Sequence, residues 1–209
     1  DIDAKKIHVI YNSIDSSRFV PATEGQRAAL RQQLGLPVDA VVLCFVGSGF
    51  ERKGLASAIR AIAGTPAWLI VVGQDKAESR YRDLARSLGC EGQIRFLGMQ
   101  KETLPFYQVS DGLLLPTLYD PFPNVILEAM ACGLPVITSV SCGGAEFIEQ
   151  GQNGFYCDAL DISRLKEAVM TLPSLDKNND MGRAARERVK EATPEKLSSQ
   201  LISLYQKLL

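Results

Sequence analysis

Continuous apolar runs alternate along this chain with stretches whose apolar positions recur every three or four residues. "AVVLCFVG" (40–47) has no polar alternation, which predicts a parallel strand buried on both faces. "WLIVVG" (68–73), "QIRFLG" (93–98), "GLLLP" (112–116), "PVITS" (135–139) and "GFYC" (154–157) continue the strand series, and "IHVIYN" (7–12) predicts an earlier strand. Helical spacing lies between them, near 25–34, 54–64, 79–89, 101–109, 124–132 and 145–150, with Gly89 closing the third helix. Beyond 158 the pattern is purely helical: "DISRLKEAVMTL", "MGRAARERVKEA" and "TPEKLSSQLISLYQKLL", the last opened by Thr193 as N-cap and Pro194 in the first turn. "PSLDKNND" (173–180) is the most loop-like stretch there.

This alternation predicts an α/β fold, a doubly wound parallel sheet with helices on both faces. Such sheets bind ligands at the carboxyl ends of their strands. Candidate chemistry is therefore confined to the loops after 41–46, 68–73, 94–97, 112–116 and 135–138.

Composition narrows the function classes. At 209 residues with 46% hydrophobic and 22% charged content, the chain can bury a full globular core. A net charge of −1 excludes a global pull toward nucleic acid or an anionic membrane. The five cysteines (Cys44, Cys90, Cys132, Cys142, Cys157) form no C-x-x-C pair and read as buried free thiols in a reducing, cytoplasmic setting. The lone histidine, His8, lies in the predicted edge strand and reads as structural or exposed, which argues against a histidine-based zinc site or triad. No apolar run approaches the roughly 20 residues needed to span a bilayer. The charged start "DIDAKK" has no signal-peptide character and lacks an initiator Met, so the chain reads as a piece of something longer, cut in a linker.

"VGSGFERKGL" (46–55) follows the first buried strand and opens a helix. A dinucleotide fingerprint needs Gly at 52, where Arg52 stands; a P-loop begun at Gly49 needs Lys at 55, where Leu55 stands. What the loop offers is Arg52 and Lys53 directly before Gly54 at a helix N-terminus, a setting suited to a diphosphate. An exposed basic pair in a turn fits the same residues. In "VVGQDKAES" (71–79) Gly73 serves the turn, while Asp75 and Lys76 read as solvated. "FLGMQ" (96–100) ends a strand with Gly98, where backbone groups could meet a flat ring.

"YDPFPNVILEAMACGLPVI" (119–137) sets Glu128 inside an apolar run, eight residues after Asp120. Pro121 and Pro123 exclude helix before 124, and Asn124 is a competent N-cap, so Glu128 falls in the first turn or just after it. Both carboxylates can approach the helix mouth beside the free N–H groups of 124–126. Carboxylates accept from vicinal hydroxyls and helix N–H groups donate to phosphate, a combination that suits a nucleotide sugar. A helix-dipole acid at Glu128 and a turn acid at Asp120 remain the plain alternatives. Gly143-Gly144 in "SVSCGGAEFIEQGQNGF" (139–155) permits either close ligand approach or a simple turn.

Together these pieces resemble family 4 retaining glycosyltransferases of the GT-B fold. "DPFPNVILEAMACGLPVI" is similar to that family's acid-x7-acid signature with its "EAMA-x-G-x-PVI" tail, and "VIYNSID" is similar to its "VIPNGVD" lead-in. "VGSGFERKG", "VVGQDK" and "SCGGAEFI" look most like the lipopolysaccharide-core glucosyltransferases of heptose-acceptor type. The resemblance implies a Rossmann-like C-terminal, donor-binding half of a two-domain enzyme. Residues 1–20 would form a linker and first strand, 7–172 the donor domain and 173–209 the C-terminal helices, with the N-terminal acceptor domain absent. It implies that Arg52 and Lys53 bind the diphosphate and neutralise it as it leaves, and that Glu128 binds ribose hydroxyls. Asp120 stands in the place of a sugar-contacting glutamate, one methylene shorter, which bears on sugar identity. Gly47, Ser48, Phe122, Pro123, Asn124 and Val125 would line the donor site, and Gly98–Met99 would meet the base. It implies retaining transfer of a hexose from UDP-glucose, with no metal or cofactor, to a lipopolysaccharide-core or related glycan acceptor. Nucleic acid is not an expected partner, and any peripheral membrane association would reside in the other half, at the cytoplasmic leaflet. Another UDP- or GDP-sugar, a sugar-nucleotide epimerase, and a non-catalytic nucleotide-sugar-binding module are the competing readings.

Overall fold

A computed structural model describes residues 7–172 and 180–208. Six strands, β1 (Val42–Val46), β2 (Trp68–Val72), β3 (Ile94–Gly98), β4 (Gly112–Leu115), β5 (Val136–Ser139) and β6 (Gly154–Cys157), form one sheet in the order β3-β2-β1-β4-β5-β6. Every adjacent pair is parallel. The central strands β1, β4 and β5 are buried along their whole length, as their unbroken apolar runs require, and only the edge strands β3 and β6 are half-exposed. The order reverses between β1 and β4, the switch point at which such sheets bind ligands in a crevice outside the carboxyl ends of the strands.

Helices α1 (Glu24–Gln33), α2 (Leu55–Ile62), α3 (Glu78–Ser87), α4 (Leu104–Gln108), α5 (Asn124–Ala131), α6 (Ile162–Thr171), α7 (Asp180–Val189) and α8 (Pro194–Leu208) complete the fold. In α2, Leu55, Ala58, Ile59 and Ile62 are fully buried while Arg60 faces water, one apolar stripe at helical spacing. Each buried leucine or isoleucine among them contributes about 1.5–3 kcal/mol. α2 packs with α3 and α6, and α5 with α4 and α7. α1 begins with a reciprocal capping box between Thr23 and Gln26, and Thr193 Oγ accepts from Lys196 N–H at 3.2 Å to open α8 as its sequence predicts. Gly89 follows α3 with φ +70°, the left-handed stop its position calls for.

Opposite the crevice, a buried charge cluster ties α1 to the sheet. Asp111 accepts from Arg27 Nη2 at 2.6 Å, from Arg31 Nη2 at 2.7 Å and from the Val42 N–H at 2.7 Å. Arg31 also donates to the Val38 and Ala40 carbonyls, so neither cation is buried without partners.

Three expectations are corrected. Residues 7–12 form no strand: Ile7 and Val9 lie 58% and 71% exposed, because alternating apolar residues make a strand only where a neighbouring strand takes up their hydrogen bonds. His8 is accordingly exposed rather than part of an edge strand. The helix expected at 145–150 is a 3₁₀ turn over Gly143–Phe147. Asn124 is the first helical residue of α5 rather than its N-cap; Pro123 holds the cap position in an extended conformation. Apart from Asp180, the first residue of α7, the expected loop at 173–180 lies outside the described residues, as do residues 1–6 of the linker. All five cysteines are free, as the sequence implied; four are buried, whereas Cys157, expected buried, is intermediate, and burial pushes the Cys44 and Cys132 thiols up to about 12.

Candidate functional site

The loop from Gly47 to Gly54 and the loop after β4 meet across the crevice. The Arg52 carbonyl accepts from the Leu118 N–H and from Thr117 Oγ, both at 2.8 Å. Such an approach requires glycine at 54: its φ is +77°, and a Cβ there would stand 1.8 Å from the Pro116 carbonyl oxygen. Gly143 performs the same service on the other side, since a Cβ would stand 1.8 Å from the Pro121 oxygen. The glycine pair is thus used for close packing of the loop after β5 against the loop that carries Asp120. Asp120 is fixed there through its own backbone, with its N–H on the Ser141 carbonyl at 3.3 Å and its carbonyl accepting from Gly143 N–H at 2.9 Å.

Arg52, Lys53 and Asp120 are brought together. Asp120 Oδ2 accepts from Lys53 Nζ at 2.6 Å and from Arg52 Nη1 at 2.8 Å, and Arg52 Nη1 also donates to the Tyr119 carbonyl at 3.0 Å. Lys53 and Asp120 are buried, whereas the Arg52 side chain is half-exposed. Burial raises the pKa of Asp120, but the hydrogen bonds and charges of Lys53 and Arg52 outweigh it and hold the carboxyl below its ordinary value. The exposed basic pair in a turn is therefore the wrong description of Lys53, whose ammonium is sequestered.

Four residues beyond Asp120, α5 begins. The N–H groups of Asn124 and Val125 have no carbonyl one turn back to serve, so the helix presents donors and the positive end of its dipole beside Asp120. Asn124 uses its side chain elsewhere: its Oδ1 accepts from Asn12 Nδ2 at 2.7 Å. Phe122 is locked in an aromatic trio with Tyr11 and Phe147, ring centroids 5.2–5.8 Å apart, which braces the Pro-Phe-Pro segment against the chain's first described stretch.

Glu128 is engaged on α4 rather than with Asp120. Its Oε2 accepts from Tyr107 Oη at 2.7 Å and from Thr103 Oγ at 3.3 Å, and Oε1 has no partner among the described hydrogen bonds. Glu128 is half-exposed, the one acid in an α5 whose Ile126, Leu127, Ala129, Met130 and Ala131 are buried. Burial and then the Glu128 charge keep the Tyr107 hydroxyl protonated far above its ordinary range, so it is a permanent donor.

Gly98 ends β3 and its carbonyl accepts from Gly73 N–H at 2.9 Å, while Met99 projects 69% exposed; no described contact joins either to the cations. Gly47 donates its N–H to the Val72 carbonyl at 2.9 Å, and Ser48 Oγ accepts from Gln74 N–H at 3.3 Å, stitching the first loop to the one after β2.

Asp75 belongs to that stitch and is not merely solvated. Its carboxylate accepts from Phe50 N–H and from Ala77 N–H, both at 2.8 Å, and these backbone bonds, Ala77 first, lower its pKa. Phe50 is fully buried between Phe45 and Tyr81, so Asp75 pins the middle of the 47–54 loop at an anchored residue. Lys76 stays exposed, as read. Tyr107 and Thr103 carried no signal in the sequence; only a search for polar atoms along the α4 face toward Glu128 could have found them. Among the described residues no group of three His, Cys, Asp or Glu side chains could hold a metal ion, and no helix is long and apolar enough to cross a membrane.

The family model described as Glycosyl transferases group 1 matches residues 26–188. The lipopolysaccharide core biosynthesis glycosyltransferase LpsE of Rhizobium meliloti (strain 1021) is 34% identical over 166 residues, covering 79% of this chain and 47% of that protein. The lipopolysaccharide glucosyltransferase WaaG of Escherichia coli (strain K12) is 34% identical over 151 residues, covering 69% of this chain and 39% of that protein. Among solved structures, Anabaena Alr3699/HepE in complex with UDP-glucose shares the fold, with a TM-score of 0.84 at 22% identity over 98% of this chain and 58% of that one. The chain spans about half the length of the curated relatives it matches. With the six-stranded parallel sheet and the loops at its switch point, this match places the chain in the group 1 glycosyl transferase family.

Proposed function

We propose that the chain is the donor-binding half of a retaining glycosyltransferase that takes glucose from UDP-glucose and passes it to a lipopolysaccharide-core or related glycan. The observation that carries this reading is the convergence of Lys53 and Arg52 at the sheet's switch point, beside the open N–H groups of α5. Two fixed cations and a helix N-terminus suit a diphosphate, both when it binds and when it departs with an extra negative charge. Glu128 Oε1 has no partner among the described hydrogen bonds and the residue is partly exposed, fit to accept from ribose hydroxyls, and Gly98–Met99 offer backbone to the base. The names of LpsE, WaaG and HepE support glycan chemistry, glucose and UDP-glucose respectively.

In the transfer step, the bond from the sugar's anomeric carbon to the diphosphate oxygen breaks and its electron pair leaves with UDP. An acceptor hydroxyl forms the new bond on the same face and gives its proton to the departing phosphate oxygen. Arg52, Lys53 and the α5 amides hold the charge that develops there, with no step that calls for a metal ion. The acceptor is bound by another part of the whole enzyme, working in the cytoplasm with peripheral attachment to the inner membrane face.

Calorimetry of this chain with UDP, UDP-glucose, UDP-GlcNAc, GDP-mannose and ADP-glucose tests the reading. The uridine nucleotides bind, and Lys53→Ala and Glu128→Ala each weaken them. Indifference among all five, or no binding, overturns the donor assignment; tighter GDP-mannose would redirect it to a guanosine donor.

A further inference from the structure

The two cations are already engaged by a side chain of the chain itself. Lys53 and Arg52 converge on a single oxygen, Asp120 Oδ2, while Oδ1 has no partner among the described hydrogen bonds. One oxygen accepting two charge-assisted bonds at 2.6 and 2.8 Å makes the contacts that a phosphate oxygen would make. The carboxylate cancels one of the two positive charges, in a place where Asp120 and Lys53 are 6% and 8% exposed and the half-exposed Arg52 side chain lets water screen in part. The other titratable group facing it is the Cys142 thiol, from the loop after β5, which burial keeps neutral. The Asp120 backbone is pinned on both sides, so a departure of its carboxylate from the cations is a side-chain rotation and not a loop movement.

Resting on the donor reading above, we propose that Asp120 is the resident counter-anion of the diphosphate subsite. Donor binding exchanges its carboxylate for the diphosphate at Arg52 and Lys53, and the displaced acid turns to the sugar only once the diphosphate is seated. The short aspartate side chain suits this double use, because it keeps the carboxylate close to its own backbone and therefore to the cations.

UDP has no sugar, so it separates this role from sugar contact. Asp120→Asn removes the competing charge and tightens UDP by about tenfold, one unit charge a few ångströms away at partly screened distance. The same variant steepens the salt dependence of binding. A folded Asp120→Asn that binds UDP equally or more weakly than the parent chain overturns the proposal and leaves the donor reading standing. If the parent chain binds no UDP, both fall.

Should the variant fail to fold, proton uptake by the parent chain decides. UDP-glucose has no phosphate that titrates near pH 5, so calorimetry there in two buffers of different ionisation enthalpy reports the protein alone. A carboxylate displaced from its cations takes up a fraction of a proton; zero uptake on binding overturns the exchange.

Discussion

Replacing Tyr107 by Phe deletes one oxygen atom and keeps the ring, which packs edge-on against Phe19 at 6.1 Å. That oxygen is the main tether of Glu128. Its bond is 2.7 Å, whereas the second donor, Thr103 Oγ, stands at 3.3 Å, long for a hydroxyl hydrogen bond. Hydrogen bonds to charged groups contribute about 1.5–3 kcal/mol net. Glu128 is half-exposed and water can replace part of the loss, so the lower end applies: about 1.5 kcal/mol, or about 3–6 °C in Tm for a chain of this size. On the proposed donor reading, the same loss of orientation costs about tenfold in the discrimination assigned to Glu128 at ribose. Calorimetry with UDP and 2′-deoxy-UDP reads it: the parent chain prefers UDP, and Tyr107→Phe brings the ratio toward one. An unchanged melting temperature together with an unchanged ratio would refute the tether. A lower melting temperature with an unchanged ratio would show that the bond serves packing alone and that Glu128 does not read the ribose.

Asp111→Ala leaves Arg27 and Arg31 buried without their carboxylate and should cost about 3–5 kcal/mol in urea unfolding, with UDP affinity of the folded protein unaffected because the cluster lies at the far ends of the strands; a loss under about 1 kcal/mol contradicts it. Asp75→Ala frees the Phe50 N–H, destabilises by about 1–2 kcal/mol and weakens UDP binding through the 47–54 loop. Because the folded-state pKa of Asp75 is depressed, its contribution is complete above the unfolded value near pH 4 and fades as pH falls through the folded one. The stability gap between parent and variant should therefore close below about pH 4, and a gap constant with pH would exclude the charge as its source.

The buried strands were legible in the sequence because a strand covered on both faces has no alternative to a continuous apolar run, and "VLCFV" and "GLLL" have one. "IHVIYN" carried an alternating strand signal and makes no strand, since pairing depends on a neighbour that local pattern does not contain. The cation pair and the acids of the α5 region were legible too, from their residue types at helix starts that follow strands. What each acid does was not. Asp75 looked like any solvated turn residue, and its role depends on Phe50, twenty-five residues away.

By itself the sequence determined the layered α/β fold, the strand ends where chemistry gathers, and the family. The tertiary structure alone decided that Asp120 joins Arg52 and Lys53 while Glu128 turns to Tyr107, so that the two acids have different partners. The reason is that hydrophobic period is a local property, recorded residue by residue. The partner of a buried charge is chosen by loops from different strands that meet only when the sheet has formed, over glycines at 54 and 143 that let their backbones touch.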